Sequence, residues 1–115
     1  MNFADFVTSD YKNLWIEEEN MFCYVRKAVR VLGPSFVPTI DVATIEVAEE
    51  MRGQGIFTSF LTRVEQTAKT QQRAVFVESV MAPRLANFLL KRGYILDPRN
   101  STTLAPSFFK PLSKL

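Results

Sequence analysis

Two glycines and an arginine, Arg52-Gly53-Gln54-Gly55, stand where one hydrophobic pattern gives way to another. Before them a β-like run ends at Val47-Ala48, and after them a helical stripe begins at Ile56. Glycine lets a backbone turn sharply and approach a ligand closely. The first N–H groups of a helix have no partner within it, and the helix dipole adds partial positive charge. Together these features suit a phosphate or pyrophosphate, and Arg52 would add a full charge at the mouth. The Gly-Lys-Ser/Thr ending of a Walker loop is missing, and so is the third glycine of a dinucleotide fingerprint. Gly-x-Gly alone is also what a plain turn looks like, so the neighbouring elements must decide.

The choice of catalytic groups is narrow, because the chain has no histidine. Ser-His-Asp and Cys-His mechanisms are excluded, and a general base must be a carboxylate, Lys, Tyr, Cys or water. Glu78 is the first candidate. It ends the apolar run Val75-Phe76-Val77, and Phe76 and Val80 would desolvate it, an environment in which carboxylates become bases. The alternative is a strand-end carboxylate paired to Arg84 or Lys91. Asp41 and Glu46 are rivals, but an odd separation puts them on opposite faces of a regular strand. Tyr94 could supply a proton, although a strand tyrosine is more often core. Cys23 is alone, with no disulfide partner and no histidine to activate it.

The elements that must position these groups follow from the pattern. Met21 to Leu32 is dense in β-formers, and Gly33-Pro34-Ser35 punctuates it. Val37 to Ala48 alternates, with Ile40, Val42, Thr44 and Glu46 on one face and Asp41, Ala43, Ile45 and Val47 on the other, so a central strand is expected. From about Gly55 to Thr70 an amphipathic helix presents Ile56, Phe57, Phe60, Leu61, Val64 and Ala68 as one stripe. Ala74 to Val80 reads as a strand. Arg84 to Arg92 reads as a helix opened by Pro83 and stopped by Gly93. Tyr94-Ile95-Leu96 and Ser107 to Pro111 read as two last strands, joined by a loop at 97–101. Residues 3–14 suggest a short helix or irregular segment, and 17–20 a polar turn. The order β-β-α-β-α-β-β is an α/β domain with a mixed, mostly antiparallel central sheet around a parallel β-α-β core.

The whole chain is consistent with one domain over residues 1–115, with 47% hydrophobic and 23% charged residues. Its net charge is +2, and the basic residues are scattered, which argues against nucleic acid as a partner. Metal ligation is not expected, since no Cys–His pairing exists. No stretch approaches a membrane span, and Met1 to Asp5 lacks the start of a signal peptide, so a cytoplasmic protein is expected. Asn100-Ser101-Thr102 fits a glycosylation sequon that a cytoplasmic chain would not use. Phe3, Phe6, Trp15, Phe108 and Phe109 exceed what a small core readily buries, which predicts a homodimer through the N-terminal segment or the C-terminal strand.

Val47 to Phe57 resembles motif A of the GCN5-related N-acetyltransferases, Arg/Gln-x-x-Gly-x-Gly/Ala after a strand ending in valine, with Arg52 and Gly55 in the matching places. The resemblance runs on through Ala74 to Val80, and Leu90-Lys91-Arg92-Gly93-Tyr94 is similar to the family's motif B, which ends in Gly-Phe. It covers roughly residues 37–96 and implies an acyl-CoA N-acyltransferase fold. It further implies acetyl-CoA as cosubstrate and transfer of its acetyl group to an amine of a small molecule or protein. Backbone groups of Ile45 and Val47 would pair with the pantetheine arm. Arg52 and the amides of Gly53, Gln54, Gly55, Ile56, Phe57 and Thr58 would cradle the pyrophosphate, and a splay between the two parallel strands would admit the thioester. Glu78 falls where some members carry a glutamate. Three positions depart from the family: Phe57 replaces a small residue, Leu89 stands where many members place a tyrosine that protonates the thiolate, and the region before Val37 is short. The alternative is a non-catalytic protein that keeps the fold for acyl-CoA binding or interaction.

Overall fold

The computed structural model describes residues 2–18, 20–47, 55–102 and 104–115, with backbone alone at 46 and 47. Helix α1 spans Phe3–Thr8 and is started by a reciprocal cap, in which Asn2 Oδ1 accepts from the Asp5 N–H and Asp5 Oδ2 accepts from the Asn2 N–H. Strands β1 (Asn13–Glu18), β2 (Met21–Leu32) and β3 (Ser35–Val47) follow as a meander. Then come α2 (Ile56–Thr70), β4 (Ala74–Val77), α3 (Pro83–Lys91), β5 (Ile95–Asp97), β6 (Ser107–Lys110) and a last 3-10 turn, Leu112–Lys114. The six strands lie in the order β1-β2-β3-β4-β6-β5. β3 and β4 are parallel and every other pair is antiparallel, so the mixed sheet around a β-α-β core is as the pattern predicts.

The N-terminal quarter differs from the sequence expectation. Residues 13–18 form a strand where an irregular segment running into a polar turn is expected. Ile16 is buried on the core face between half-exposed Leu14 and Glu18, while Asn13, Trp15 and Glu17 face out. Glu17 and Glu18 hide this alternation, because Glu18 points inward by binding Arg63 of α2, at 2.5 Å, and by accepting from the Phe3 N–H of α1, at 2.9 Å. Asn20, just before β2, lies in the left-handed region at φ 63. β4 is also shorter than expected and ends at Val77.

All three helices pack on one face of the sheet. Phe6, Ile16, Val25, Ile40, Val42, Phe60, Leu61, Val64 and Leu89 are completely buried there. A smaller cluster on the other face, Leu32, Ala74 and Phe76 with Val37 and Phe109, holds strand residues alone. Phe3, Phe6 and Phe108 are buried within the chain, so of the apolar surplus behind the homodimer expectation only Trp15 and the partly exposed Phe109 remain. None of the described helices is long and apolar enough to cross a membrane.

A polar knot locks α2 to the end of α3 and to β6. Glu65 accepts from Arg92 Nη2 at 2.7 Å and from the Tyr94 hydroxyl at 2.7 Å, with Lys110 Nζ 3.5 Å away. Burial pushes the Glu65 carboxyl up, but the bonds from Arg92 and Tyr94 outweigh it and hold the group below its ordinary value. A carboxyl lowered in the folded state contributes stability that is full above its ordinary value and is lost as pH falls through the folded one. The melting temperature should therefore drop as pH falls below 4.5. Glu65→Gln should be less stable at neutral pH by roughly 1–3 kcal/mol and show a flatter acid limb. Identical acid limbs in the two proteins would contradict this assignment.

Candidate functional site

β3 is paired with β2 along nearly its whole length, but with β4 only from Thr39, opposite Ala74, to Val42, opposite Val77. One further bond, from the Glu78 N–H to the Val42 carbonyl at 2.9 Å, closes that ladder. Beyond it, residues 43–47 of β3 have no partner in β4, and the strands part. Both strands contribute to the parting. In β3, Thr44 sits at φ 49 in a bulge, where the step from Tyr24 to Phe22 on β2 is matched by the longer step from Ala43 to Glu46. In β4's continuation, Ser79 sits at φ 53, its N–H donates to Ser107 Oγ at 3.0 Å, and the Val80 N–H donates to the Pro106 carbonyl at 2.7 Å. The chain after β4 thus turns toward β6 and away from β3.

The bulge also corrects the strand reading. Strict alternation puts Ile45 on the face opposite Ile40 and Val42, yet all three pack in the main core, because the extra residue flips the phase after Ala43. For the same reason, odd separation does not fix the relative faces of Asp41 and Glu46.

α2 begins beside this opening. Gly55 is its N-cap at φ 76, no side chain caps it, and the first helical bond runs from the Ser59 N–H to the Gly55 carbonyl at 2.9 Å. A Cβ on Gly55 would meet nothing within 4 Å, so glycine is required by the backbone angle and not by crowding. The N–H groups of Ile56, Phe57 and Thr58 lie in the first turn, ahead of any helical partner, and form an anion-attracting end. The Phe57 ring turns away from it, edge-on to Phe88 of α3 at 6.1 Å, and packs on the main core. Along α3, Arg84, Asn87, Phe88, Lys91 and Arg92 line an open cationic concavity that the sequence reading did not single out. Arg52, Gly53 and Gln54 lie outside the described residues, as do the side chains of Glu46 and Val47.

Glu78 stands at the mouth of the parting on the helix-free face, one-third exposed. It is not joined to Arg84 or Lys91. Its Oε2 accepts from Arg26 Nη2 at 2.6 Å, and Arg30 Nη2 lies 3.8 Å from its Oε1. Arg26 and Arg30 are themselves anchored by Asp41 Oδ2, at 2.9 Å from Arg26 Nε and 2.8 Å from Arg30 Nη2. Asp41 Oδ1 accepts from Thr39 Oγ1 at 2.7 Å, so this buried carboxylate is fully engaged. Arg30 also lies over the Phe76 ring, at 4.0 Å from its centroid. Arg26 reads in the sequence as a charge on the wet face of a strand. What makes it the holder of Glu78 is strand register, which no local signal reveals.

The remaining candidates are sequestered. Tyr94 is buried, and burial with its bond to Glu65 pushes the phenol far above its ordinary range. Burial pushes the Cys23 thiol up to about 12. Leu89 is wholly inside the core. Among the described residues, no group of three His, Cys, Asp or Glu gathers as a metal site.

No family model matches the sequence, and neither does any curated protein. Solved structures do match in shape. AtaT, in its complex with acetyl-methionyl-tRNAfMet, superposes with a TM-score of 0.64 at 12% identity, over 81% of this chain and 62% of that one. An acyl-CoA N-acyltransferase structure from Klebsiella pneumoniae gives 0.52 at 15% identity, over 84% and 76%. A histone acetyltransferase HPA2-related structure from Corynebacterium glutamicum gives 0.55 at 17%, over 79% and 56%. This chain spans about three-fifths of the length of the AtaT structures it matches. At these identities the likeness is one of architecture, and that architecture is definite: the chain has the fold of the GCN5-related N-acetyltransferases.

Proposed function

We propose that this chain is an acetyl-CoA-dependent N-acetyltransferase acting on an amine of a small molecule or protein. The observation that carries the reading is the parting of β3 from β4 beside a helix that opens on left-handed Gly55. The residues present suit the cosubstrate. Past Val42, the β3 edge turned toward β4 lacks a ladder partner, so the backbone of Ile45 and Val47 can pair with a pantetheine amide. The N–H groups of Gly55, Ile56, Phe57 and Thr58, together with Arg52, Gly53 and Gln54, would hold the pyrophosphate. Arg84 and Lys91 on the nearby concavity add positive charge for the nucleotide end.

Acetyl-CoA supplies an activated acetyl thioester, and the chain's own residues manage position and protons. Glu78 is the proposed base, because Arg26 fixes one of its oxygens while the other accepts no hydrogen bond from the described residues. The amine nitrogen bonds to the acetyl carbon, the carbon–sulfur bond breaks, the amine proton passes to Glu78, and the thiolate is protonated from solvent. A second reading, an acyl-CoA-binding protein without turnover, is favoured by one observation: Leu89 carries no proton to give the thiolate, and the Tyr94 hydroxyl is buried and bonded to Glu65.

Acetyl-CoA at about 100 times its Kd should stabilise the protein by near 2.7 kcal/mol and raise its melting temperature. In Gly55→Asp, a carboxylate enters the anion site at a strained backbone angle, and the ligand-induced rise should shrink. Equal rises in both proteins, or none in either, would remove the cosubstrate assignment. Glu78→Gln should keep the thermal response to acetyl-CoA and lower turnover by roughly 10²–10⁴-fold. Unchanged turnover in that variant across roughly pH 6 to 9 would show that Glu78 is not the base.

A further inference from the structure

β1 is a terminal strand of the sheet, and one hydrogen bond fixes which of its backbone groups are free. The Lys27 N–H donates to the Lys12 carbonyl at 2.6 Å. Lys12 and Lys27 continue the register that sets Asn13 opposite Arg26 and Glu18 opposite Met21, so they are a directly bonded pair. Bonded and unbonded pairs alternate along an antiparallel ladder. Leu14, Ile16 and Glu18 therefore turn their N–H and C=O groups toward β2, while Asn13, Trp15 and Glu17 turn theirs to the open side. These last residues are all exposed, and no turn, cap or loop bond among the described residues takes up their backbone groups.

Sheets protect such an edge by keeping it short, by bulging it, or by placing lysine or proline on it. The opposite terminal strand, β5, uses the first device and spans Ile95–Asp97 alone. β1 uses none of them. It runs over Asn13–Glu18, carries no proline or lysine, and keeps one unbroken register on β2. Its exposed apolar side chain is Trp15, 48% exposed, whose ring stacks on Phe22 at 4.9 Å with planes 10° apart. An open, regular edge flanked by exposed aromatic surface is a template for one more strand.

We propose that the added strand is β1 of a second copy of this chain, antiparallel across a two-fold axis at Trp15, so that the two sheets become one. The free groups set the register. Only a pairing centred on Trp15 gives Asn13, Trp15 and Glu17 free partners in the copy, with Trp15 opposite Trp15, Asn13 opposite Glu17, and each pair exchanging both bonds. The side chains agree with the backbone, because directly opposite residues share a face. On the helix-free face the two Trp15 rings meet between the two Phe22 rings, and the Asn13 amide meets the Glu17 carboxylate. On the helix-packed face half-exposed Leu14 comes opposite Ile16. The two Glu17 carboxylates do not collide, since they stand about 14 Å apart along the strand, beyond the screening length of about 8 Å. A two-fold contact requires a self-complementary surface, and this match is what selects a copy of the chain over an unrelated strand. Of the apolar residues behind the homodimer expectation, Trp15 carries the contact. Phe109 does not, because β6 lies inside the sheet between β4 and β5.

Sedimentation from micromolar to near-millimolar protein should show the 13.1 kDa chain passing to twice that mass. Asn13→Pro removes a free N–H at the first residue of an edge strand, where proline is tolerated, so it should fold and stay monomeric. Trp15→Lys sets like charges opposite each other across the axis and should also be monomeric, which keeps the test open if the proline variant fails to fold. Leu96→Lys, on the exposed edge of β5, should dimerise as the parent does. Cross-linking reads the register. Trp15→Cys should form a disulfide with its own copy on mild oxidation, because bonded partners have Cα atoms about 5.5 Å apart. Asn13→Cys and Glu17→Cys should cross-link when mixed and not separately, and buried Cys23 gives no background. A monomer at the highest concentration overturns the second copy as occupant. A dimer that survives in both Asn13→Pro and Trp15→Lys, or is lost in Leu96→Lys, overturns β1 as the interface. Cross-links through other residue pairs overturn the two-fold register. None of these outcomes depends on acetyl transfer.

Discussion

The site depends on a single backbone fact: β3 cannot stay beside β4 past Val42. Thr44 is β-branched, and at φ 49 it occupies a region that such side chains rarely adopt. Holding a residue there costs of order 1–3 kcal/mol, which surrounding structure must offset. The offset is visible on both sides of the bulge. Val42 is buried in the main core, and Ile45, rephased by the extra residue, packs against that same core. The chain after β4 is held just as firmly away from β3, by the bonds of Ser79 and Val80 to Ser107 and Pro106. A gap fixed from both edges is open before any ligand arrives, and preorganised openings of this kind spare a ligand the cost of creating them.

Charge is arranged around that gap in layers. Asp41 is a buried carboxylate that would be very costly alone, and two guanidinium groups and a threonine hydroxyl satisfy it. The arginines then extend outward, and Arg26 holds Glu78 by one oxygen at the edge of the opening. Asp41 is thus a structural anchor, and Glu78, one-third exposed, is the carboxylate of the pair that solvent reaches. A second, half-buried carboxylate, Glu65, plays the anchoring part on the helix-packed face, where it ties α2 to α3 and β6.

Much of this was legible in the sequence, for reasons that are local. The stripe from Ile56 to Ala68 defines α2, the run Ala74 to Val77 defines β4, and the glycine before Ile56 marks the turn between the parallel strands. The mixed sheet follows from that order of elements. What escaped is non-local. β1 was hidden because Glu18 faces inward on the strength of Arg63, 45 residues away, and of the Phe3 N–H, 15 residues away. The bulge at Thr44 leaves no mark in the alternation of Val42, Ala43, Thr44 and Ile45, since each of these is an ordinary strand residue. The partner of Glu78 is Arg26 because two register choices, β2 on β3 and β3 on β4, bring them together, and neither can be read from either segment alone.

The central claim is that coenzyme A binds where β3 and β4 part and where α2 begins. Backbone amide resonances provide the most direct test, because each described N–H in question belongs to a named residue. Titration with coenzyme A should move the amides of Ala43 to Val47 and of Gly55 to Thr58 most, and leave β1 and α1 nearly unmoved. Perturbations centred on another surface, or none at saturating ligand, would contradict it.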